Sequence, residues 1–532
     1  MALTTINAEM FRKMVIAAAN SLEHNKEIIN DLNVFPVPDG DTGTNMSLTV
    51  VSAVTEVNNS TATTVGPLAK AMGNGALRGA RGNSGVITSQ LFRGFTKAIP
   101  VTKEEIDVKD FADAVNKGVE SAYRAVMKPK EGTILTVAKA MADEALVQAE
   151  KNADINSFLD AILAKGQEAL SRTPEQLPVL KEAGVVDAGG AGLITIYQGF
   201  RMAVNGETVF DELNLEIAGN ETASEAETLV PDKHYSYLIK YALTDFNNEI
   251  NVADRLRRKV IRHGDEKTLV IVDDSEMIRL SMYTNEPDRV LAEGLALGQL
   301  SRISIDNMDK PLKNIAIIAV CAGKGLGDIL KDYNVDELVS GGQSMNPSTE
   351  DILKAIENAP SNNIIILPNN KNIILAAEQA GDLTNKTVSV VPSRSFPQGL
   401  AALLNYNEEE SAEVNVENMK NSLKDVKSGL ITTAVRDSKI VGSDFEVREG
   451  EYIGLSEDEI VSHGDDIGAA LDSLLDTIVD EDDSVISLYY GDGVTEEEAN
   501  AFAEELEEKY DDFDIEVLKG GQPVYQFIIS VE

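Results

Sequence analysis

The stretch Asn33-Val34-Phe35-Pro36-Val37-Pro38-Asp39-Gly40-Asp41-Thr42-Gly43-Thr44-Asn45 sets two carboxylates, Asp39 and Asp41, on a tight glycine-bearing turn. The prolines at 36 and 38 fix the approach of the chain, and Gly40 and Gly43 permit close backbone contact. A helix should follow from Asn45, with Thr44 as its cap and its first N–H groups facing an anion. Taken alone, Pro-Asp-Gly-Asp is equally a plain polar turn between helices, because those residues dominate turns. The pattern on either side of it decides the fold. Upstream, Met10, Phe11, Met14, Val15, Ala18 and Leu22 recur at spacings of three and four; downstream, Val108, Phe111, Val115, Val119, Ala122 and Val126 do the same. Such amphipathic helices need partners, so residues 1–204 are expected to form an all-helical bundle.

Three more glycine- or threonine-rich junctions interrupt these helices. Leu77-Arg78-Gly79-Ala80-Arg81-Gly82-Asn83-Ser84-Gly85 combines exposed amides, a hydroxyl and two guanidinium groups, the ingredients of a phosphate cradle. It lacks P-loop spacing, and glycines for close helix crossing are the plainer alternative. Lys128-Pro129-Lys130-Glu131-Gly132-Thr133 reads as a helix connection in which Thr133 can cap the next helix. Val185-Val186-Asp187-Ala188-Gly189-Gly190 offers Asp187 first as an N-cap and second as a nucleotide contact.

The chain has 532 residues, enough for about three or four domains. Its formal net charge of −41 argues against nucleic acid and anionic membrane surfaces as partners. An anionic nucleotide would need local help from metal ions, amides or a few arginines. The single cysteine, Cys321, excludes an internal disulfide framework and follows the apolar run Ile315–Val320, where a buried strand end is the plainer reading than a nucleophile. No signal peptide or long apolar run is present, so a cytoplasmic protein without an integral membrane segment is expected.

Residues 205–232 read as an acidic linker, and 233–310 as a small mixed α/β domain of strands (235–241, 268–272, 277–283) with a helix near 251–261. Beyond it the rhythm is strand, glycine, helix. We expect two related α/β lobes, 311–427 and 428–532, each carrying a Gly-Gly-Gln segment (341–343 and 520–522). Gly323, Gly325 and Gly327 lack the dinucleotide spacing and read as a βα turn. The acidic helix near 496–512 reads as a solvated face.

Four glycine-rich motifs in this order resemble the ATP-binding domain of dihydroxyacetone kinases: Asp39-Gly40-Asp41-Thr42-Gly43, Ala80-Arg81-Gly82-Asn83-Ser84-Gly85, Gly132-Thr133 and Val186-Asp187-Ala188-Gly189. With Ser304-Ile305-Asp306-Asn307-Met308, the run Gly341-Gly342-Gln343-Ser344-Met345-Asn346-Pro347-Ser348-Thr349-Glu350-Asp351 and Gly520-Gly521-Gln522-Pro523, the whole chain is similar to the ATP-binding subunits of bacterial fatty acid kinases. The resemblance implies an antiparallel helical barrel with MgATP at its mouth, and a C-terminal region with the fold of a fatty-acid-binding, DegV-like protein. It also implies a separate fatty-acid-binding protein that docks on that region and presents the acyl substrate.

On this resemblance Asp39 and Asp41 would ligate magnesium, two ions in all. Asn33 stands near the position of a third carboxylate in the dihydroxyacetone kinases. Thr42, Asn45, Asn83, Ser84 and Gly85 would hold the phosphates, with Gly43, Thr44, Gly82, Thr133, Asp187 and Gly189 around the nucleotide and Arg81 on the transferring group. The zinc site that the family often carries in its middle domain lacks its cysteine and histidines here, so no zinc is expected. The rival readings are a kinase of a small polyol or ketone and a non-catalytic nucleotide-binding scaffold. The middle domain is the expected site of self-association as a homodimer.

Overall fold

The computed structural model describes residues 3–34, 40–126, 128–151, 153–207, 236–244, 252–265, 268–274, 277–307, 313–342, 346–434, 438–439, 446–457 and 459–532. Phe35–Asp39 and most of the expected linker, 208–232, lie outside the described residues. The chain divides into two compact units, one of Met1–Leu213 with Asn314–Glu532 and one of Asn214–Lys313.

In the first unit a short ladder pairs β1 (Thr5–Ile6) with β2 (Ile106–Asp107) beside the helices α1 (Ala8–Asp31), α2 (Thr42–Asn59), α3 (Val65–Gly79), α4 (Gly82–Ala98), α5 (Val108–Ala125), α6 (Ile134–Glu150), α7 (Ile155–Ser171), α8 (Thr173–Gln176), α9 (Pro178–Ala183) and α10 (Ala188–Val204). From α1 to α7 each helix packs on the next, α7 packs on α10, and α10 packs on α1, so the antiparallel ring closes as a barrel. The periodic residues named above fill its interior. Phe11, Met14, Val15, Ala18 and Leu22 of α1 and Phe111, Val115, Val119 and Ala122 of α5 are all buried. At its centre Phe111 meets Phe95, Phe158 and Phe200 edge to face, with centroids 5.2, 5.4 and 6.4 Å away. Caps set the helix starts: Asn7 accepts from the Met10 N–H at 2.9 Å, and Asp107 and Asp110 form a reciprocal capping box.

The second unit is an antiparallel sheet with two helices on one face. Its elements run β3 (Tyr237–Thr244), α11 (Val252–Val260), β4 (Val270–Asp274), β5 (Met277–Thr284), α12 (Pro287–Leu295) and β6 (Gln299–Asn307), with strand order β4-β5-β3-β6. Val252, Leu256, Val260 and Val290 of the helices close its core over Ile239, Tyr241, Leu280 and Met282.

The C-terminal part of the first unit begins with β7 (Ala316–Cys321), α13 (Lys324–Asp332), β8 (Glu337–Ser340), α14 (Thr349–Asn358), β9 (Asn363–Leu367), α15 (Lys371–Gly381), β10 (Thr387–Val390), α16 (Phe396–Leu404) and α17 (Ala412–Ser422). Its sheet is parallel, in the order β10-β9-β7-β8. A second lobe follows: β11 (Lys427–Thr433), the ladder β12 (Ser438–Lys439) with β13 (Glu446–Val447), β14 (Tyr452–Ser456), β15 (Glu459–Gly464), α18 (Ile467–Ile478), β16 (Val485–Tyr490), α19 (Glu496–Lys509), β17 (Asp514–Lys519) and β18 (Tyr525–Val531). Here the order β15-β14-β11-β18-β16-β17 is mixed, and only β16 and β17 run parallel. The likeness between the lobes is therefore confined to one strand–helix–strand unit, β7-α13-β8 against β16-α19-β17. The short glycine matches cover that unit and nothing more.

The glycines after β7 serve close packing. A side chain at Gly325 would stand 1.8 Å from the Lys519 carbonyl oxygen of the second lobe, and the Leu326 N–H donates to the Gly520 carbonyl at 3.0 Å. Cys321 ends β7 partly covered, and burial pushes its thiol up to about 11. Among the described residues no helix is long and apolar enough to cross a membrane.

Candidate nucleotide site at the barrel mouth

Alternation around an antiparallel ring puts the starts of α2, α4, α6 and α10 at one end. Their contacts agree. A Cβ on Gly82, which opens α4 at φ +56°, would lie 2.4 Å from Asn45 Nδ2 in the first turn of α2. One on Gly189 would lie 3.2 Å from Ile134, the first residue of α6, and one on Gly192 would lie 2.5 Å from Met46 of α2. Each start leaves N–H groups without carbonyls inside its own helix, and the dipoles add positive potential in a chain whose net charge is −41.

Asp39 lies outside the described residues. Asp41 is the N-cap of α2, which begins at Thr42; Thr44, expected as the cap, instead sits in the first turn, where its N–H donates to Asn30 Oδ1 at 3.1 Å and its hydroxyl accepts from Asn30 Nδ2 at 3.1 Å. Helical geometry starts earlier because Asp41 itself already has αR backbone angles. Asn33 is buried and accepts a hydrogen bond from the Thr42 hydroxyl, so the residue expected near a third metal-ligand position and the first residue of α2 stand together. Gly43 gives its smallness to packing, since a Cβ there would meet the Lys26 carbonyl of α1 at 2.2 Å; Gly85 does the same against Thr49 of α2 at 2.5 Å.

Arg81 is the N-cap of α4, with Asn83 and Ser84 partly exposed in the first turn. Thr133 caps α6 by position only and donates its hydroxyl to the Lys130 carbonyl at 2.8 Å. Asp187 caps α10, its Oδ2 accepting from the Gly190 N–H at 2.7 Å. Burial pushes its carboxyl up to about 6, opposed in part by the hydrogen bonds from the Gly190 and Ile134 amides. The structural reading of Asp187 thus holds, and its side chain is almost wholly buried.

Sequence reasoning missed the residues that reach this end from the C-terminal region. Asn346 Nδ2 donates to Asp41 Oδ2 at 2.6 Å, and Arg81 Nη1 donates to the Asn346 carbonyl at 2.9 Å, with Nη2 3.9 Å from Asp351. Asn83 Nδ2 donates to Asn372 Oδ1 at 3.1 Å, and the Thr349 N–H donates to the Ala80 carbonyl at 3.0 Å. Behind them buried Gln379 donates to the Leu77 carbonyl at 2.8 Å and accepts from Gln90 Nε2 at 2.8 Å. Ala80 and Val86 join the apolar core of the parallel lobe. The available signal was the polar run 341–351; nothing local places it against a turn 305 residues away.

Comparison with known proteins agrees along the chain. Residues 36–202 match the DAK2 domain, 234–315 the FakA-like middle domain of fatty acid kinases, and 316–532 the FakA-like C-terminal domain. Protein YloV of Bacillus subtilis is 38% identical over 559 residues, covering 100% of both chains. Among solved structures, the DegV family protein Cg2579 of Corynebacterium glutamicum aligns with 41% of this chain and 96% of its own at 13% identity (TM-score 0.32). The dihydroxyacetone kinase of C. freundii in complex with AMP-PNP and Mg2+ aligns with 38% of this chain and 35% of its own at 16% identity (TM-score 0.30). Identity over full length to YloV, with all three domain matches in register, establishes that the chain belongs to the FakA-like family of fatty acid kinase proteins, built on a dihydroxyacetone-kinase-type helical domain.

Proposed function

We propose that the chain moves the γ-phosphoryl group of ATP onto the carboxylate of a fatty acid, which a separate fatty-acid-binding protein presents, giving an acyl phosphate and ADP. The observation that carries this reading is the gathering of four helix starts around Asp41, Asn33 and Arg81 at one end of the barrel. Phosphoryl transfer asks the protein for alignment and charge neutralisation more than for covalent chemistry.

The side chains fit magnesium. Asp41, Asn33 and Thr42 offer oxygen donors, the preference of a hard cation, and the buried carbonyl oxygen of the Asn346 side chain has no hydrogen-bond partner among the described residues. Asp41 and Asn33 would hold the ions together with Asp39. Magnesium bound there would supply charge neutralisation for the nucleotide's phosphates. The first-turn N–H groups of α4, with Asn83, Ser84 and Gly85, and those of α2, with Thr42, Gly43, Thr44 and Asn45, orient the phosphates. Gly82 lets that loop approach α2; Thr133, Asp187 and Gly189 shape the far wall at α6 and α10. Arg81 has donors beyond the one given to Asn346 and directs them to the transferring group. A fatty acid carboxylate is already anionic near neutral pH, so no general base is required.

Acyl phosphate trapped with hydroxylamine, in the presence of a fatty-acid-loaded partner, tests the reading. Asp39→Ala and Asp41→Ala should abolish MgATP-dependent trapping; full product from Asp39→Ala would refute the assignment. ADP release without any lipid carrier, driven by a small polyol, would favour the other kinase reading. The middle domain is part of the same proposal as the site of self-association. Its edge strand β6 exposes Ile303 and Ile305 on one face, at 51% and 43% exposure. Light scattering on a variant lacking residues 233–308 should then report a monomer.

A further inference from the structure

We propose that the phosphate and metal site is composite, with Asn346 of the C-terminal parallel lobe as one of its ligands. This rests on the placement of magnesium at Asp41 argued above and adds a residue from outside the helical domain. Asn346 is 2% exposed and its amide stands against the Asp41 carboxylate. Nδ2 donates to Asp41 at 2.6 Å, while Oδ1 is buried without a partner among the described residues. A buried carbonyl oxygen left unpaired is costly, so its retention beside a carboxylate calls for an occupant.

The chemistry of an amide explains the choice of residue. Towards a bare carboxylate it serves as donor; rotated half a turn about its last bond, it offers the carbonyl oxygen to a cation shared with that carboxylate, leaving Nδ2 to donate to a phosphate oxygen. Aspartate at this position would repel Asp41 when no cation is bound, and leucine could do neither. The backbone is held for the task. Arg81 Nη1 grips the Asn346 carbonyl at 2.9 Å, and the Ser348–Asp351 capping box with the Thr349-to-Ala80 hydrogen bond fixes the start of α14. The lobe that carries Asn346 is therefore seated by the same loop, Ala80–Gly85, that is proposed to cradle phosphate. Nucleotide binding and lobe seating become linked, and each should strengthen the other.

The test uses the full chain and a fluorescent ATP analogue titrated at a series of free Mg2+ concentrations. Asn346→Ala should raise the Mg2+ concentration for half-maximal nucleotide binding about tenfold, the scale of one lost buried polar contact. Asn346→Asp should recover Mg2+-dependent binding, because a carboxylate is a better ligand for a hard cation, yet should melt at a lower temperature than the native chain when Mg2+ is withheld. Gln379→Leu loosens the same interface without touching Asp41; through the linkage it should weaken nucleotide binding by a similar factor at every Mg2+ concentration, and so leave the Mg2+ half-saturation near its native value. An unchanged half-saturation in Asn346→Ala, an Asn346→Asp variant that behaves like the alanine, or an equal shift in Gln379→Leu would each overturn the proposal. Asp41→Asn separates the two layers of inference. If it also leaves Mg2+ dependence intact, the placement of the metal fails; if it alone abolishes the dependence, only the role of Asn346 fails.

Discussion

Replacing Asp187 by asparagine should stabilise the protein increasingly as pH rises. Asp187 is 5% exposed at the start of α10, and burial raises its carboxyl from 3.8 to about 6. A raised carboxyl pKa means that the folded state keeps the proton longer than the unfolded chain. Stability from this group is therefore complete below pH 4, falls as the unfolded chain ionises first, and reaches its floor above the folded value of about 6. At about 1.4 kcal/mol for each pH unit between those two values, the full effect amounts to about 3 kcal/mol. Asparagine keeps an oxygen to accept from Gly190 N–H and cannot ionise, so its advantage over aspartate follows the same curve. The sequence pI of about 4.4 makes solutions near pH 4 prone to precipitation, so the accessible window runs from pH 5 to 8. Across it the advantage should grow by about 1.4 kcal/mol. Paired urea titrations of the two proteins at pH 5, 6, 7 and 8 read this directly. A difference that stays constant over the window would refute the buried-carboxylate reasoning, whatever its size.

Gln379→Leu should cost about 2–5 kcal/mol, because it strands the Leu77 carbonyl and Gln90 in a buried interface; a loss under about 0.5 kcal/mol in denaturant titration would contradict the network. Gly325→Ala places a methyl group 1.8 Å from a backbone oxygen of the second lobe, so a destabilisation of about 1–3 kcal/mol is expected from the shift of its unfolding midpoint. With its thiol pushed up to about 11, Cys321 should react with iodoacetamide slowly at pH 8 and about tenfold faster per pH unit up to pH 10. A plateau near pH 9 would show an ordinary thiol.

The helical domain was legible because its apolar residues recur with one period over many turns; Phe111, Val115 and Val119 are buried as their spacing requires. The parallel lobe was legible for a similar reason, as runs such as Ile364–Leu367 are apolar throughout and form a central strand buried on both faces. What spacing could not supply was register between distant parts. Thr44 looked like a cap because threonine favours that place, yet Asn30, from the end of α1, claims its N–H and its hydroxyl. The second lobe looked related to the first because a Gly-Gly-Gln segment follows the second strand of both strand–helix–strand units in the sequence. The sheet around it is mixed because β18 returns antiparallel between β11 and β16. Asn346 was unreadable as a site residue for the plainest reason: its partners Asp41 and Arg81 are 305 and 265 residues away.

That separation also has a meaning in time. A ribosome adding about 5–20 residues per second needs roughly 13 to 53 seconds to travel the 265 residues from Arg81 to Asn346. Over the last 142 of those residues, from Val204 to Asn346, the helical barrel already has all of its own sequence, yet the loop at Ala80–Gly85 lacks the lobe that seats on it. A nascent or truncated chain thus carries an open barrel mouth with Gln90 and the Leu77 carbonyl still facing water. Completion of the parallel lobe, which ends with α17 at Ser422, is what dries that surface and brings Asn346 to Asp41, so the site is finished only when about four-fifths of the polypeptide has been made.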